Sequence, residues 1–378
     1  MAVVLKEQHK LAESLDLYEK ARVIQTKIVG PDHARVASIN TGIAAVLRLQ
    51  GKEDEALHLF QRSLESFRRT YGPVHYDVAM AYNNIACIFM TQGKLDDAMG
   101  MFQNALVVYR KVLGDDHVSI GSTLNNIAAV LAQQGKLGDA LTMYQNALQT
   151  YQRSIGESHP SVANTYHSMA AILHDLGKFD IAMNLYRTSL SIKLKCLGQE
   201  HPSVAKTYKS MASTFEAIAE VLQKQSKLQD SLELYQKAQQ VALKAQDFAT
   251  VARTSNSMAT ILDGQGKPEE ALELHLQCLK IYKAVHGARH TIVAEKCFYM
   301  ALLFHKKGEA ERAIEMYRES LEIYEHNRGK DDPTVCTISN NLAAVLQQTG
   351  KIEEAFQLFH KVLLIRKATM QEDNPALA

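Results

Sequence analysis

Residues 75–116 read HYDVAMAYNNIACIFMTQGKLDDAMGMFQNALVVYRKVLGDD, and residues 117–158 read HVSIGSTLNNIAAVLAQQGKLGDALTMYQNALQTYQRSIGES. The second stretch repeats the first at an offset of 42 residues, with Asn-Asn-Ile-Ala, Gln-Gly-Lys-Leu and Gln-Asn-Ala-Leu in the same places. The same step runs outward in both directions. Ala2, Ala44, Ala86, Ala128, Ala170 and Ala212 lie 42 apart, and Ala259, Ala301 and Ala343 resume the step after a phase shift. A fixed period of this size marks a stacked repeat, in which one unit cannot bury its apolar stripes without its neighbours.

Each unit reads as two helices. In 75–113, Val78, Tyr82, Ile85, Ala86 and Phe89 form one stripe at helical spacing, which predicts a helix over roughly 75–91. Gln92-Gly93-Lys94 breaks it, because glycine accepts the left-handed conformation that ends helices. A second helix follows over roughly 95–112, with Leu95, Ala98, Phe102, Ala105, Leu106 and Tyr109 inward. Ala86 lets the two helices of a unit approach, and Ala98 and Ala105 are expected to meet the next unit. Phe60, Tyr144, Tyr186, Tyr235, Tyr317 and Phe359 repeat the phase of Phe102. The pattern gives a partial repeat over 1–29. An array over 30–378 follows, with complete units at 33–71, 75–113, 117–155, 159–197, 201–245, 248–286, 290–328 and 332–370 and the start of a ninth. Asn374-Pro375-Ala376-Leu377 aligns with Asp332-Pro333-Thr334-Val335, and Met1–Leu5 with Ile43–Leu47. Both ends thus read as cut inside a longer array.

One interruption stands out. Gly177 and its equivalent Ser226 are 49 apart rather than 42. Met211-Ala212 is echoed by Ile218-Ala219, so seven extra residues, nearly two helical turns, lengthen one first helix and keep its apolar face.

Composition excludes several functions. Lys plus Arg is 42 against 41 for Asp plus Glu, a net charge of +1, without the basic excess of a nucleic-acid binder. No apolar run reaches membrane-spanning length, so no membrane insertion is expected. The cysteines (87, 196, 278, 297 and 336) are scattered with no C-x-x-C, which indicates neither a disulfide framework nor zinc. A soluble, cytoplasmic setting is the expectation. The Gly-Lys turns lack the spacing and following Ser or Thr of a phosphate loop. His33, His75, His117, His159, His201 and His290 occur once per unit, where Asp332 and Asn374 stand in other units. That exchange suits helix caps rather than metal ligands strung along a stack. Cys278 falls at a small inward phase, as a core residue would. No catalytic set, cofactor or metal is expected.

The segments Tyr82-Asn83-Asn84-Ile85-Ala86, Leu124-Asn125-Asn126-Ile127-Ala128 and Ser339-Asn340-Asn341-Leu342-Ala343 carry a resemblance. With the Gly-Lys turns and the Gly-x-x-His-Pro-Ser-Val-Ala junctions at 156–163 and 198–205, they resemble the tetratricopeptide repeat in its 42-residue form, and within it the repeat region of kinesin light chains. The resemblance implies an all-α fold, a right-handed α-α superhelix whose first helices line a concave face that holds a partner peptide. It also implies a cargo adaptor, associated with the cytoskeleton, that joins kinesin heavy chain where heptads lie outside this chain. The alternative is the regulatory or sensor repeat region of a larger protein, with an enzymatic or nucleotide-switch domain elsewhere.

The residues expected on that face are Asn83, Asn125, Asn164, His167, Lys206, Lys209, Arg253, Asn256, Phe298 and Asn340. An amide can donate to a peptide carbonyl and accept from a peptide N–H together, so the asparagines suit backbone recognition. Lys206, Lys209 and Arg253 form a basic cluster expected to favour an acidic peptide with an aromatic anchor, and Phe298 offers an apolar contact. Replacing the three cations by Glu is expected to abolish binding and leave the helices folded.

Overall fold

The computed structural model describes residues 1–373, and the side chains of 1–6 and 8–365. The start of a ninth unit at Asn374 lies outside the described residues. Among them the chain is helical throughout, with no strand. It forms two compact units, Met1–Gln199 and Glu200–Ala378.

Unit 1 opens with a stub pair, α1 (Ala2–Glu7) and α2 (Leu11–Val29). Four full pairs follow: α3 (Ala34–Leu49) with α4 (Glu53–Tyr71), α5 (Tyr76–Thr91) with α6 (Leu95–Leu113), α7 (Val118–Gln133) with α8 (Leu137–Ile155), and α9 (Pro160–Asp175) with α10 (Phe179–Leu197). Unit 2 contains α11 (Pro202–Lys224) with α12 (Leu228–Lys244), α13 (Phe248–Gly264) with α14 (Pro268–His286), α15 (Thr291–Lys307) with α16 (Ala310–Arg328), and α17 (Pro333–Gln348) with α18 (Ile352–Asp373). The helix α11 has 23 residues where α3, α5, α7, α9 and α17 have 16, so the insertion lengthens a first helix as its spacing predicts.

The junction histidines are caps. Nδ1 of His33, His75, His117, His159, His201 and His290 each accepts from the backbone N–H two residues on. Asp332 does the same for Thr334 at 2.7 Å. Each cap satisfies one of the donors that a helix start leaves open.

Packing follows the repeat phases. Phe60, Phe102, Tyr144, Tyr186, Tyr235 and Tyr317 are all buried. The equivalent place on α14 holds His275, which is also buried. The phase of Ala105 meets both sides rather than the next unit alone. Ala105 packs with Ala79 of its own first helix and with Ile120 and Leu124 of the next. At this phase Ser63, Ser189, Cys278 and Ser320 donate back to Ala37, Ala163, Ala252 and Ala294 of their own first helices. Cys278 is therefore core, and burial pushes its thiol up to about 11.

Candidate peptide-binding face

Within unit 1 the first helices α5 and α7 touch, and within unit 2 so do α11 and α13. The first helices of each unit therefore share one face. Asn83, Asn125 and His167 lie on it in unit 1, half-exposed, with Asn164 exposed. In unit 2, Lys206, Lys209 and Arg253 are exposed, and Asn256, Phe298 and Asn340 are half-exposed. None of these ten side chains belongs to the core.

The asparagines are held by the adjacent first helix. Asn83 Oδ1 accepts from Asn126 Nδ2 at 3.4 Å, and Asn125 Oδ1 lies 3.2 Å from Thr165 Oγ1. Asn256 Oδ1 accepts from Lys296 Nζ at 2.8 Å. A lysine can only donate, so the Asn256 carbonyl must face Lys296 and its NH₂ is left to donate. The amide thus offers mainly donors, not the paired donor and acceptor expected from sequence. His167 packs edge-on against Tyr186, with ring centroids 5.2 Å apart, and Phe298 tilts against Tyr317 at 6.0 Å.

Two of the three cations of the basic cluster have carboxylate partners within the chain. Arg253 donates from Nε to Glu216 Oε1 at 2.9 Å and from Nη2 to Glu216 Oε2 at 2.6 Å. Lys209 Nζ lies 3.4 Å from Asp247 Oδ2. The hydrogen bonds to Glu216 hold the Arg253 guanidinium above its ordinary value, against burial. Burial alone would raise Asp247, but its bonds to Thr250 and the charge of Lys209 bring the carboxyl below the usual range. Arg253→Glu would set a carboxylate against buried Glu216, a change expected to cost stability. Of the three cations, Lys206 alone has no charged partner among the described residues.

Sequence reasoning missed Glu216 and Asp247. Counted forward from the His201 cap, the face residue of α11 is Lys209. Counted back from the Ser226 turn it is Glu216, one inserted heptad later. The echo of Met211-Ala212 in Ile218-Ala219 held that signal.

The tetratricopeptide repeat model matches at residues 1–69, 35–111, 77–134, 119–195, 210–284, 250–326 and 294–368. The chain belongs to the tetratricopeptide-repeat family. Repeats of this family are generally protein–protein interaction scaffolds. No curated protein matches the chain. Among solved structures, the C-terminal part of a tetratricopeptide-repeat protein from Cytophaga hutchinsonii is similar, with a TM-score of 0.51 at 15% identity, over 75% of this chain and 95% of that one. BtubC (BKLC) from P. vanneervenii gives 0.48 at 19% identity, over 62% and 90%. A putative kinesin light chain from Podosopora anserina, with nearly identical TPR-like repeats, gives 0.45 at 20% identity, over 56% and 97%. At these identities the likeness is one of fold. Among the described residues, no tetratricopeptide-repeat helix is long and apolar enough to cross a membrane, and no His, Cys, Asp and Glu side chains are grouped as a metal site.

Proposed function

We propose that the chain is a scaffold whose units each hold an extended partner peptide along their own first-helix face. The observation that carries this reading is the recurrence of the same held amide within each unit. Asn83, Asn125 and Asn256 repeat at one helical phase, stay accessible, and are each bonded on one side to the neighbouring first helix. A side chain held in place loses less freedom on binding than a free one, so each amide meets a peptide carbonyl at lower cost. Backbone recognition gives reach along the peptide. Phe298, half-exposed beside Tyr317, supplies an apolar contact for an aromatic anchor.

The role that follows is a cargo adaptor of the kinesin-light-chain type, in which this array is the recognition part. It rests on the Asn-Asn-Ile-Ala segments and their spacing. The acidic preference expected from Lys206, Lys209 and Arg253 narrows to Lys206, because the other two cations have partners of their own.

The test is selection of peptides from a displayed random library by the full chain, followed by binding to Asn125→Leu and Asn256→Leu variants. Loss of about tenfold in affinity, with helicity retained, supports the reading; one peptide hydrogen bond is worth about that much. Selected peptides that bind both variants as tightly as the wild type overturn it.

A further inference from the structure

The seven residues that lengthen α11 bring a carboxylate onto the first-helix face of unit 2. By its distance from the Ser226 turn, Glu216 takes the phase that Asn83 and Asn125 take in their own repeats. Those amides are half-exposed, whereas Glu216 is buried. Both of its oxygens accept from Arg253, at 2.9 and 2.6 Å, in a bidentate pair. Fork-on-fork pairing is among the stronger hydrogen-bonded arrangements open to a guanidinium. Arg253 Nη2 also donates to Thr250 Oγ1 at 3.1 Å, and Thr250 Oγ1 donates to Asp247 Oδ2 at 2.8 Å. Lys209 closes the far end of the chain on Asp247. Two cations and two carboxylates of this chain therefore satisfy one another.

A carboxylate on an incoming peptide would find Nε and Nη2 of Arg253 already taken and the guanidinium charge already balanced by Glu216, with Nη1 left to it for a single-ended contact. A forked pair of its own would have to displace Glu216 and leave it charged, buried and unpaired, a state that costs more than the new contact returns. A neutral peptide carbonyl asks for no such exchange. We propose that Glu216 is a built-in acidic competitor, so that this face takes neutral peptide side chains beside Arg253 and turns acidic ones away from that position. The inference rests on the peptide-face reading for its ligand, but the masking of Arg253 stands apart from it.

The experiment uses the full chain as wild type, Glu216→Gln and Glu216→Gln/Arg253→Gln. Its first arm measures the thermal midpoint with and without a few millimolar inorganic sulfate. Sulfate is expected to raise the midpoint of Glu216→Gln above its effect on the wild type, and the excess should vanish in the double variant. The second arm measures the anisotropy of two labelled peptides, alike except for Glu or Gln on either side of a central Phe. The Glu peptide should gain about tenfold in Glu216→Gln while the Gln peptide is unchanged, a gain of the size seen for close charge pairs. No sulfate excess, or a wild type that already prefers the Glu peptide tenfold, overturns the proposal. A sulfate excess with neither peptide bound keeps the masking and overturns the peptide-face reading instead. Should Glu216→Gln lose helix by circular dichroism, Glu216→Met, apolar and of similar volume, takes its place in both arms.

Discussion

His275 Nε2 lies 3.5 Å from Asp263 Oδ2, and among the described residues neither ring nitrogen of His275 has a hydrogen-bond partner. The ring is buried at the phase where neighbouring second helices carry Tyr235 and Tyr317, edge-on to Tyr299 at 4.8 Å. Tyr299 donates to the same Asp263 oxygen, and Lys296 adds an opposing charge. Burial lowers the His275 pKa, and Asp263 only partly restores it. The unfolded chain therefore takes up a proton at a pH where the folded chain does not. This stability is present above the ordinary histidine value of about 6.5 and is lost as pH falls below it, toward the lowered folded value. His275→Phe should unfold at higher denaturant than the wild type, by about 1 kcal/mol, and lose less stability between neutral pH and about pH 5. Equal pH slopes for the two proteins would count against this.

Tyr317 poses the same problem without a charge. Its hydroxyl is buried and has no partner among the described residues, and burial pushes its pKa up to about 12. Phe60 and Phe102 fill the same phase without a hydroxyl. Tyr317→Phe should raise stability by up to about 1 kcal/mol, read from the denaturant midpoint, because a buried unpaired group is removed and the ring is kept. A loss of stability would mean that the hydroxyl contributes after all.

The helix pairs were legible because their signals repeat. The Gly-Lys turns, the junction caps and the small inward residues each recur at fixed phases, and the helices fall where those phases place them. What was not legible depends on pairs of residues from adjacent repeats. A count along one chain puts Arg253 on the face but cannot tell that Glu216 reaches it from the preceding first helix. Asn256 reads as an amide with both functions, yet Lys296 fixes its carbonyl and leaves the donor. His275 was absent from the aromatic phase because a histidine breaks the residue pattern while filling the same space.

Ser226 ends α11 at φ 62°, where the equivalent Gly177 has φ 71°. A side chain in this left-handed region costs about 1–2 kcal/mol, and glycine avoids the clash. Part of the gain is offset by the greater freedom of glycine in the unfolded chain. Ser226→Gly should therefore stabilise unit 2 by about 0.5–1 kcal/mol, visible as slower hydrogen exchange in α11 and α12. Faster exchange there would show that the serine side chain holds the turn.

The caps can be separated from the packing. His117 Nδ1 accepts from Ser119 N at 3.1 Å, and the Asp332 carboxylate does the same work for α17. The bond to Thr334 holds the Asp332 carboxyl below its ordinary value. His117→Ala should cost about 1 kcal/mol, and His117→Asp should recover it. If both substitutions cost the same, His117 stabilises through ring contacts rather than through its cap.

Charge reversal separates the two kinds of cation on the unit 2 face. Lys206 is exposed and has no charged partner among the described residues, so Lys206→Glu should change stability by no more than about 0.5 kcal/mol. Arg253 is also exposed, with 56% of its side chain open to solvent, and exposure alone would predict an equally small effect. Its partner decides otherwise, because Glu216 is only 8% exposed and has no other cation against it in the network. Arg253→Glu would leave that carboxylate unpaired beside a new one, which itself would stand near Asp247. A loss of about 3 kcal/mol is expected, concentrated in α11–α13 by hydrogen exchange. Lys209→Glu should fall between the two, since it faces Asp247, which Thr250 continues to bond. An Arg253→Glu protein as stable as Lys206→Glu would mean that Glu216 reaches water when its partner is removed, and that the face is a bare basic cluster after all.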